Sequence, residues 1–326
     1  LKANGQVVQS RAGETLEMAY PVMTTYLKPC ERVLFYPQRD ANPFFHLFEA
    51  IWMLGGRNDV EFVAKYNKRM AEYSDDSLTF NGAYGYRWRR HFGYDQLEVA
   101  IHRLKNFPND RRTVVSMWDP GSYQPEAMFL GVLGDFEEGD LVHENETRDL
   151  PCNTHIYFKV RDGQLNMTVC CRSNDIIWGA YGANAVHFSV LQEYVAARVG
   201  VRVGSYTQLS DSYHAYTAVL SKLDGIQADY DPYLTLGDNG LHYTPEPLIQ
   251  PHEHTEMFDR DVIRFLDKHL SPAYETEFFE TTVDPMFSAW NWFKAGEVDE
   301  ALEWASEIYT NDWKKACTEW LERRRK

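Results

Sequence analysis

Long apolar runs are missing from this sequence: it has no stretch of about 18 apolar residues, the length a helix needs to cross a bilayer. Nothing near Leu1 carries the basic-then-apolar pattern of a secretory leader. Cysteine is sparse, and Cys30, Cys152, Cys170, Cys171 and Cys317 are odd in number and lack zinc-ribbon spacing. A chain of 326 residues can bury a core without disulfide staples, so reduced, cytoplasmic thiols are the economical reading. Positive charge is in deficit, with 33 Lys plus Arg against 48 Asp plus Glu and a formal net charge of -15. That balance argues against a nonspecific grip on a nucleic acid polymer or a membrane, although local arginines can still focus a positive field on a small anion. Internal repeats and a regular βαβ period are also absent, which disfavours a barrel or a doubly wound dinucleotide fold. The HEH of PHEHTE, His252 to His254, has no convergent third ligand, so no metal site is expected.

Aromatics are plentiful, with 20 Tyr, 18 Phe and 9 Trp, so long disordered regions are not expected. RAGETLE, Arg11 to Glu17, reads as a turn followed by an extended segment. FHLFEAIWMLGG, Phe45 to Gly56, has helical apolar spacing ended by a glycine pair, and Glu49 inside it is an anomaly. A carboxylate in so apolar a helix costs free energy unless it is paired, hydrated or titrated. NGAYGYRWRRHFG, Asn81 to Gly93, reads as a loop entering a helix, and DRRTVVSMW, Asp110 to Trp118, as paired arginines ahead of a strand. DGQLNMTVCCRSNDIIWG, Asp162 to Gly179, opens on a DG turn, continues as a strand through Cys170 and ends in a polar turn. Gly182 to Gly200 has the spacing of a long buried helix closed by glycine, and Val203 to Tyr216 returns to extended structure. Asp229 to Tyr274, rich in proline, aspartate and histidine, is expected to wrap the surface. Two short helices follow, with Ala301, Trp304, Ala305 and Ile308 on one face and Trp313, Ala316, Trp320 and Leu321 on another. The expected class is mixed α/β, with a catalytic domain over 1–290 and a helical extension over 291–326.

In DLPCNTHIYFKV, Asp149 to Val160, a cysteine stands at the entrance to a strand-like run. A cysteine that attacks carbon needs a thiolate, favoured by nearby positive charge. Arg11, Arg111, Arg112 and Arg172 lie on expected loops or strand ends, and arginines of this kind also suit a phosphomonoester. Singly, each reads as a solvated surface arginine.

Taken in order, RAGE, HLFEAIWMLGG, NGAYGYRWR, DRRTVVS, LPC, CCRSNDIIWG with GANAV, and SYHAY resemble the thymidylate synthase family, including its pyrimidine-nucleotide 5-hydroxymethylase branch, over roughly Arg11 to Tyr216. The resemblance implies a three-layer fold with a large twisted mixed sheet used in dimerisation. It implies a pyrimidine nucleoside monophosphate as substrate, 5,10-methylenetetrahydrofolate as cofactor, and a homodimer that shares arginines across the interface. Cys152 matches the nucleophile that adds to C6, Glu49 the general acid and base near the O4 edge, and Tyr84 the tyrosine that assists proton removal from C5. Arg11, Arg172 and Ser173 match the phosphate cradle, with Arg111 and Arg112 reaching in from the other subunit. Asn184 matches the asparagine that reads O4 and N3; as a residue alone, it could equally cap the following helix. His214 and Tyr216 match the sugar-binding pair. Asp175 matches a carboxylate that contacts the folate and orders the network, and Trp178 and Gly179 fall at cofactor-facing positions.

Three departures from the synthases bear on the outcome. Met70 stands where a shielding tryptophan is expected, LERRRK offers no apolar lid, and Asn153 follows the cysteine in place of histidine. Together they favour capture of the methylene intermediate by water over reduction by hydride. A hydroxymethyltransferase acting on dUMP is therefore the leading expectation. CMP or dCMP as substrate, a methylating synthase and a noncatalytic nucleotide-binding homologue are the alternatives.

Overall fold

The alternation read around the DG turn folds as an antiparallel pair in a computed structural model that describes residues 1–121, 139–140, 147–226, 233–234, 243–267 and 273–325. Among the described residues the strands are β1 (Gln6–Ser10), β2 (Gly13–Glu17), β3 (Val22–Tyr26), β4 (Val114–Ser116), β5 (Asn153–Arg161), β6 (Gln164–Asp175) and β7 (Arg202–Tyr216). They form one sheet in the order β1-β2-β7-β6-β5-β4, with β3 also paired to β7. β6 and β7 run parallel and the other pairs antiparallel, so the sheet is mixed as expected. Asp162 and Gly163 both take positive φ, which fits a two-residue hairpin.

β6 runs further than the sequence indicated. The polar stretch Arg172 to Asp175 stays in the sheet because parallel pairing with β7 continues through Ser173↔Ser212 and Asp175↔His214. That extension carries one row of candidate site residues onto adjacent strands.

The helices are α1 (Pro43–Leu54), α2 (Val60–Tyr66), α3 (Tyr84–Arg89), α4 (Gln96–Asn106), α5 (Ala183–Val199), α6 (Thr255–Asp267), α7 (Asp284–Ala295), α8 (Val298–Ser306) and α9 (Asn311–Glu322). Every residue of α1 is buried, so the helix lies in the middle of the molecule, with Asn42 capping its start by accepting from Phe45 N at 3.1 Å. α5 ends at Gly200 in the left-handed conformation, as the sequence indicated. Gln192 on α5 is fully buried and donates to the carbonyls of Leu165 at 2.8 Å and Ser205 at 3.0 Å, beside the irregularity between Leu165 and Met167 in the β6/β7 ladder. The helix thereby satisfies carbonyls at the point where the ladder shifts register.

The segment expected to wrap the surface contains a core element. α6 buries Phe258, Val262, Phe265 and Leu266, and Phe265 packs on Phe48 of α1 with ring centroids 5.1 Å apart. An amphipathic period hidden among polar residues explains the difference; the rest of Asp229 to Tyr274 lies partly outside the described residues. The carboxyl-terminal helices form at the expected places and dock on their own chain: Trp320 packs edge-on against Phe44 of α1 at 5.6 Å, and Trp313, Cys317 and Leu321 join the main core. The 290/291 boundary falls inside α7. Trp304 is 40% exposed and does not share the buried face of Ala301, Ala305 and Ile308. Asp312 anchors α9 by accepting from the Tyr233 hydroxyl at 3.2 Å.

Because Leu321 is fully buried in the common core, Leu321→Ala is expected to cost about 2–5 kcal/mol. Urea denaturation followed by tryptophan fluorescence should show the whole transition moving to lower denaturant; loss of only a minor early phase would mean that α9 folds apart from the core.

Candidate functional site

Three chain segments meet behind the sheet. The loop before α3 is held by Arg87, which is almost fully buried, donates to the Asn81 carbonyl at 3.0 Å and pairs twice with Asp140 at 2.5 and 2.8 Å. The loop before β5 is joined to it by Asp149, whose carboxylate accepts from Gly82 N at 2.8 Å. A Cβ at Gly82 would lie 2.8 Å from the Asp149 carboxylate and 3.0 Å from Pro151 N, so only glycine allows this approach. The third segment is α1, which contributes Glu49.

These contacts collect the chemistry. The Tyr84 hydroxyl lies close enough to the Cys152 thiol to favour its thiolate, and Arg172 and Arg11 act on that thiol electrostatically. Arg172 is fixed by donating to the Pro151 carbonyl at 3.0 Å and the Leu150 carbonyl at 3.1 Å, while its backbone N donates to the Cys152 carbonyl at 2.9 Å. Arg11, on the β1–β2 turn, reaches the carbonyls of Thr147 and Arg148 at 3.4 Å each. The arginine was expected to favour the thiolate, and it does pull in that direction. Burial is the larger effect, however, and the Cys152 thiol is pushed up overall, with the Asp149 charge adding to the rise. Glu49 is 6% exposed, and burial, joined by the Asp149 charge, pushes its carboxyl up to about 8. It is therefore mostly protonated at neutral pH. Asp149 itself is raised to about 6 by burial, against the Gly82 hydrogen bond and Arg87.

A cavity of about 700 Å³ opens beside this cluster, lined by Glu49, Tyr84, Asp149 and Asn184 and also by Met70, Tyr73, Trp178 and Trp320. Its volume is in the range of small-molecule sites. Asn184 is not the helix cap: α5 starts at Ala183, and Gly182 occupies the cap position without a side-chain bond. That leaves the amide beside the cavity. Trp178 is 46% exposed, with Lys222 over its ring at 5.7 Å. Gly179 packs so closely that a Cβ there would lie 2.1 Å from Asn174 Oδ1. Asp175 caps this turn, accepting from Ile177 N and Trp178 N at 2.7 Å each. Arg39 braces the same turn through the carbonyls of Ile177 and Tyr181.

Ser173 lies beside Ser212 in the sheet, and the His214 ring sits edge-on to Tyr216 at 5.5 Å. Tyr216 is close enough for the charges of Cys152, Arg11 and Asp175 to act on its hydroxyl. Arg111 and Arg112 are exposed near β4, and Arg112 pairs with Asp110 at 2.9 Å, so the fold of this chain does not bring them to Cys152. Asn153 is fully buried and accepts from the Cys171 thiol at 2.9 Å, away from the cavity wall. Its bearing on water is therefore not direct. LERRRK also reads differently in the fold: α9 sets Trp320 on the cavity wall, with the Arg324 guanidinium over its ring at 3.6 Å and paired to Asp40 at 2.9 Å.

The thymidylate synthase family model matches residues 39–237. A deoxyuridylate hydroxymethyltransferase of Pseudomonas phage M6 is 45% identical over 97% of this chain and 87% of its own length. The chain belongs to the thymidylate synthase family. A deoxyuridylate hydroxymethyltransferase of Bacillus phage SP01 is 33% identical over 81% of this chain and 67% of its own length. A crystal structure of thymidylate synthase from T4 phage superposes with a TM-score of 0.52 at 21% identity, covering 70% of this chain and 77% of that one, which bears on the fold alone.

Within that thymidylate synthase fold the sequence reading overlooked Asp149, the junction of two loops, and His187, whose Nε2 lies 3.2 Å from Glu49 Oε2. Asp149 stands directly before the LPC motif, which is the signal that could have exposed it. His187 looks like an ordinary helix residue until α1 and α5 are packed. Among the described residues no group of three or more His, Cys, Asp or Glu is placed to hold a metal, and no helix is long and apolar enough to cross a membrane.

An ordinary glutamate titrates near 4.5, and Glu49 near 8 in the fold. In that window the folded chain holds a proton the unfolded chain has released, so this group's contribution to stability falls as pH rises. Glu49→Gln removes that loss. Thermal melts should show the variant gaining on the wild type between about pH 4.5 and 8, the limits of the shift; a constant difference would refute a raised Glu49 pKa.

Proposed function

We propose that this chain is a deoxyuridylate 5-hydroxymethyltransferase that converts dUMP through a covalent Cys152 adduct. The observation that carries the reading is the convergence of Cys152, Tyr84, Arg172 and a protonated Glu49 beside a cavity that is also lined by the aromatic rings of Tyr73 and Trp178. The relatives' names agree with it.

In this reading Arg11, Arg172 and Ser173 hold the phosphate, and His214 and Tyr216 the sugar. Asn184 accepts from N3–H and donates to O4 of uracil; an aspartate would be the expected partner of cytosine. Cys152 Sγ forms a bond to C6 while Glu49, protonated because of its burial, supplies a proton toward O4. Tyr84 assists removal of the C5 proton. Asp175 keeps the Trp178–Gly179 turn in place for the cofactor.

Enzymes of this family use 5,10-methylenetetrahydrofolate, and the residues present fit it: the exposed rings of Trp178 and Tyr73 offer flat apolar surfaces to a fused heterocycle, and Arg69 and Lys222 at the same cavity suit an acidic tail. When bound, it supplies the one-carbon unit. Met70 in place of a broad indole, and a wall that carries charged Arg324, leave that unit accessible to water, so hydration completes the reaction.

The reading includes a homodimer. The sheet face opposite the helices exposes Val114, Tyr157, Leu209 and Met23, an apolar patch suited to a second copy, and the exposed Arg111 and Arg112 precede β4 at its edge, where they could serve the partner's phosphate site.

Incubation with dUMP and methylenetetrahydrofolate is expected to give a product heavier by one hydroxymethyl group with tetrahydrofolate retained; a methyl product with dihydrofolate release would overturn the reading. Cys152→Ala should lose turnover by at least about 10⁴-fold while still binding dUMP by calorimetry. Mixing inactive Cys152→Ala with an inactive Arg111→Ala/Arg112→Ala double variant should restore activity if arginines are shared between subunits. No recovery after subunit exchange would place their role within one chain.

A further inference from the structure

His187 has no part in the chemistry above. It follows Asn184 by one helical turn on the same face of α5, and both line the cavity. The ring is 3% exposed, and Nε2 is 3.2 Å from Glu49 Oε2, yet neither ring nitrogen has an aligned hydrogen-bond partner among the described residues. An interaction with the His46 backbone is too poorly directed to count as one. Buried polar groups are normally satisfied, so a cavity-lining imidazole without a partner is one placed for a ligand.

The groups facing this ring are Glu49 and His46 from α1, with the His46 ring edge-on at 6.4 Å and Phe45 beside it at 6.5 Å. Burial and the neighbouring His46 hold His187 well below its usual range, so the imidazole is neutral and offers one donor and one acceptor. Glu49 Oε2 and His187 Nε2 therefore form a two-point polar station beside the cavity, on the side where Asn184 would read the pyrimidine O4.

Resting on the reading of the chain as a dUMP hydroxymethyltransferase, we infer that His187 and Glu49 together bind the water that is added to the substrate methylene. The water oxygen forms a bond to the exocyclic carbon on C5. The methylene π pair moves onto the ring toward O4, then returns to restore C5=C6 and expel Cys152 Sγ from C6. One water proton passes to Glu49, ionised after its donation in the addition step, the other remains on the hydroxymethyl oxygen, and the proton placed on O4 is released to the departing Cys152 sulfur as the C4 carbonyl is restored. No oxidant or reductant is consumed. His187 orients the water through a hydrogen bond; Glu49 takes the proton. The pair thus accounts for a polar position next to Glu49 that neither phosphate, sugar nor base recognition requires.

The test uses the full chain with dUMP tritiated at C5, methylenetetrahydrofolate and 2-mercaptoethanol, a nucleophile that captures the same methylene as a thioether. Tritium release reports one-carbon transfer, and mass analysis separates hydroxymethyl from thioether product. For His187→Ala the thioether-to-hydroxymethyl ratio is expected to rise about 10-fold or more, since orienting a reacting water contributes on this scale. His187→Gln, which keeps a donor and an acceptor, should recover part of the hydroxymethyl product. A ratio equal to wild type in both variants, or tritium release and hydroxymethyl product falling in proportion, would overturn the assignment and leave His187 a packing residue. Wild-type protein that gives a methyl product would overturn the functional reading itself, a failure visible before any variant is made.

Discussion

The site hangs on one junction, in which the Gly82 amide donates to the Asp149 carboxylate and the Asn81 side-chain amide to the Asp149 carbonyl. It ties the loop that begins the Tyr84 helix to the loop that delivers Cys152, two segments far apart in sequence. Because glycine is the only residue that fits at position 82 against Asp149 and Pro151, the two loops close to backbone distance and Tyr84 comes within reach of the Cys152 thiol. The same carboxylate adds its charge to the burial that keeps Glu49 protonated. This junction thus bears both on the position of Cys152 and, after burial, on the protonation of Glu49.

Around that contact the protein uses low polarity as its main electrostatic device. Cys152 and Tyr84 are both shifted upward, chiefly by burial, and Arg172 counters only part of the effect at the thiol. An anionic substrate meets a pocket in which protons are retained until the reacting atoms are in place. This arrangement avoids leaving a free thiolate and a free carboxylate side by side, where they would repel each other.

Much of this was legible in the sequence wherever a local pattern carried it. Glycine closed α5, the DG pair marked the β5–β6 hairpin, and the ordered motifs named the family and its candidate residues. What stayed hidden depended on packing between distant elements. Arg172 to Asp175 looks like a turn because its residues are polar, and only parallel pairing with β7 keeps it in the sheet. α6 is masked by the charged residues around its buried face, and Trp304 shares the period of its helix yet points outward. Asn153 was read for its position after the cysteine, but strand alternation turns it toward Cys171. His187 acquires meaning only once α5 is laid against α1.

The cavity wall runs from Arg39 to Arg324 in the sequence, with α9 supplying Trp320. During synthesis, the wall is finished only when residue 324 has left the ribosome and packed back on Asp40. The chain therefore cannot display a complete cavity as a nascent fragment. Order of manufacture here becomes a safeguard: a half-made protein has no finished pocket in which to begin its chemistry.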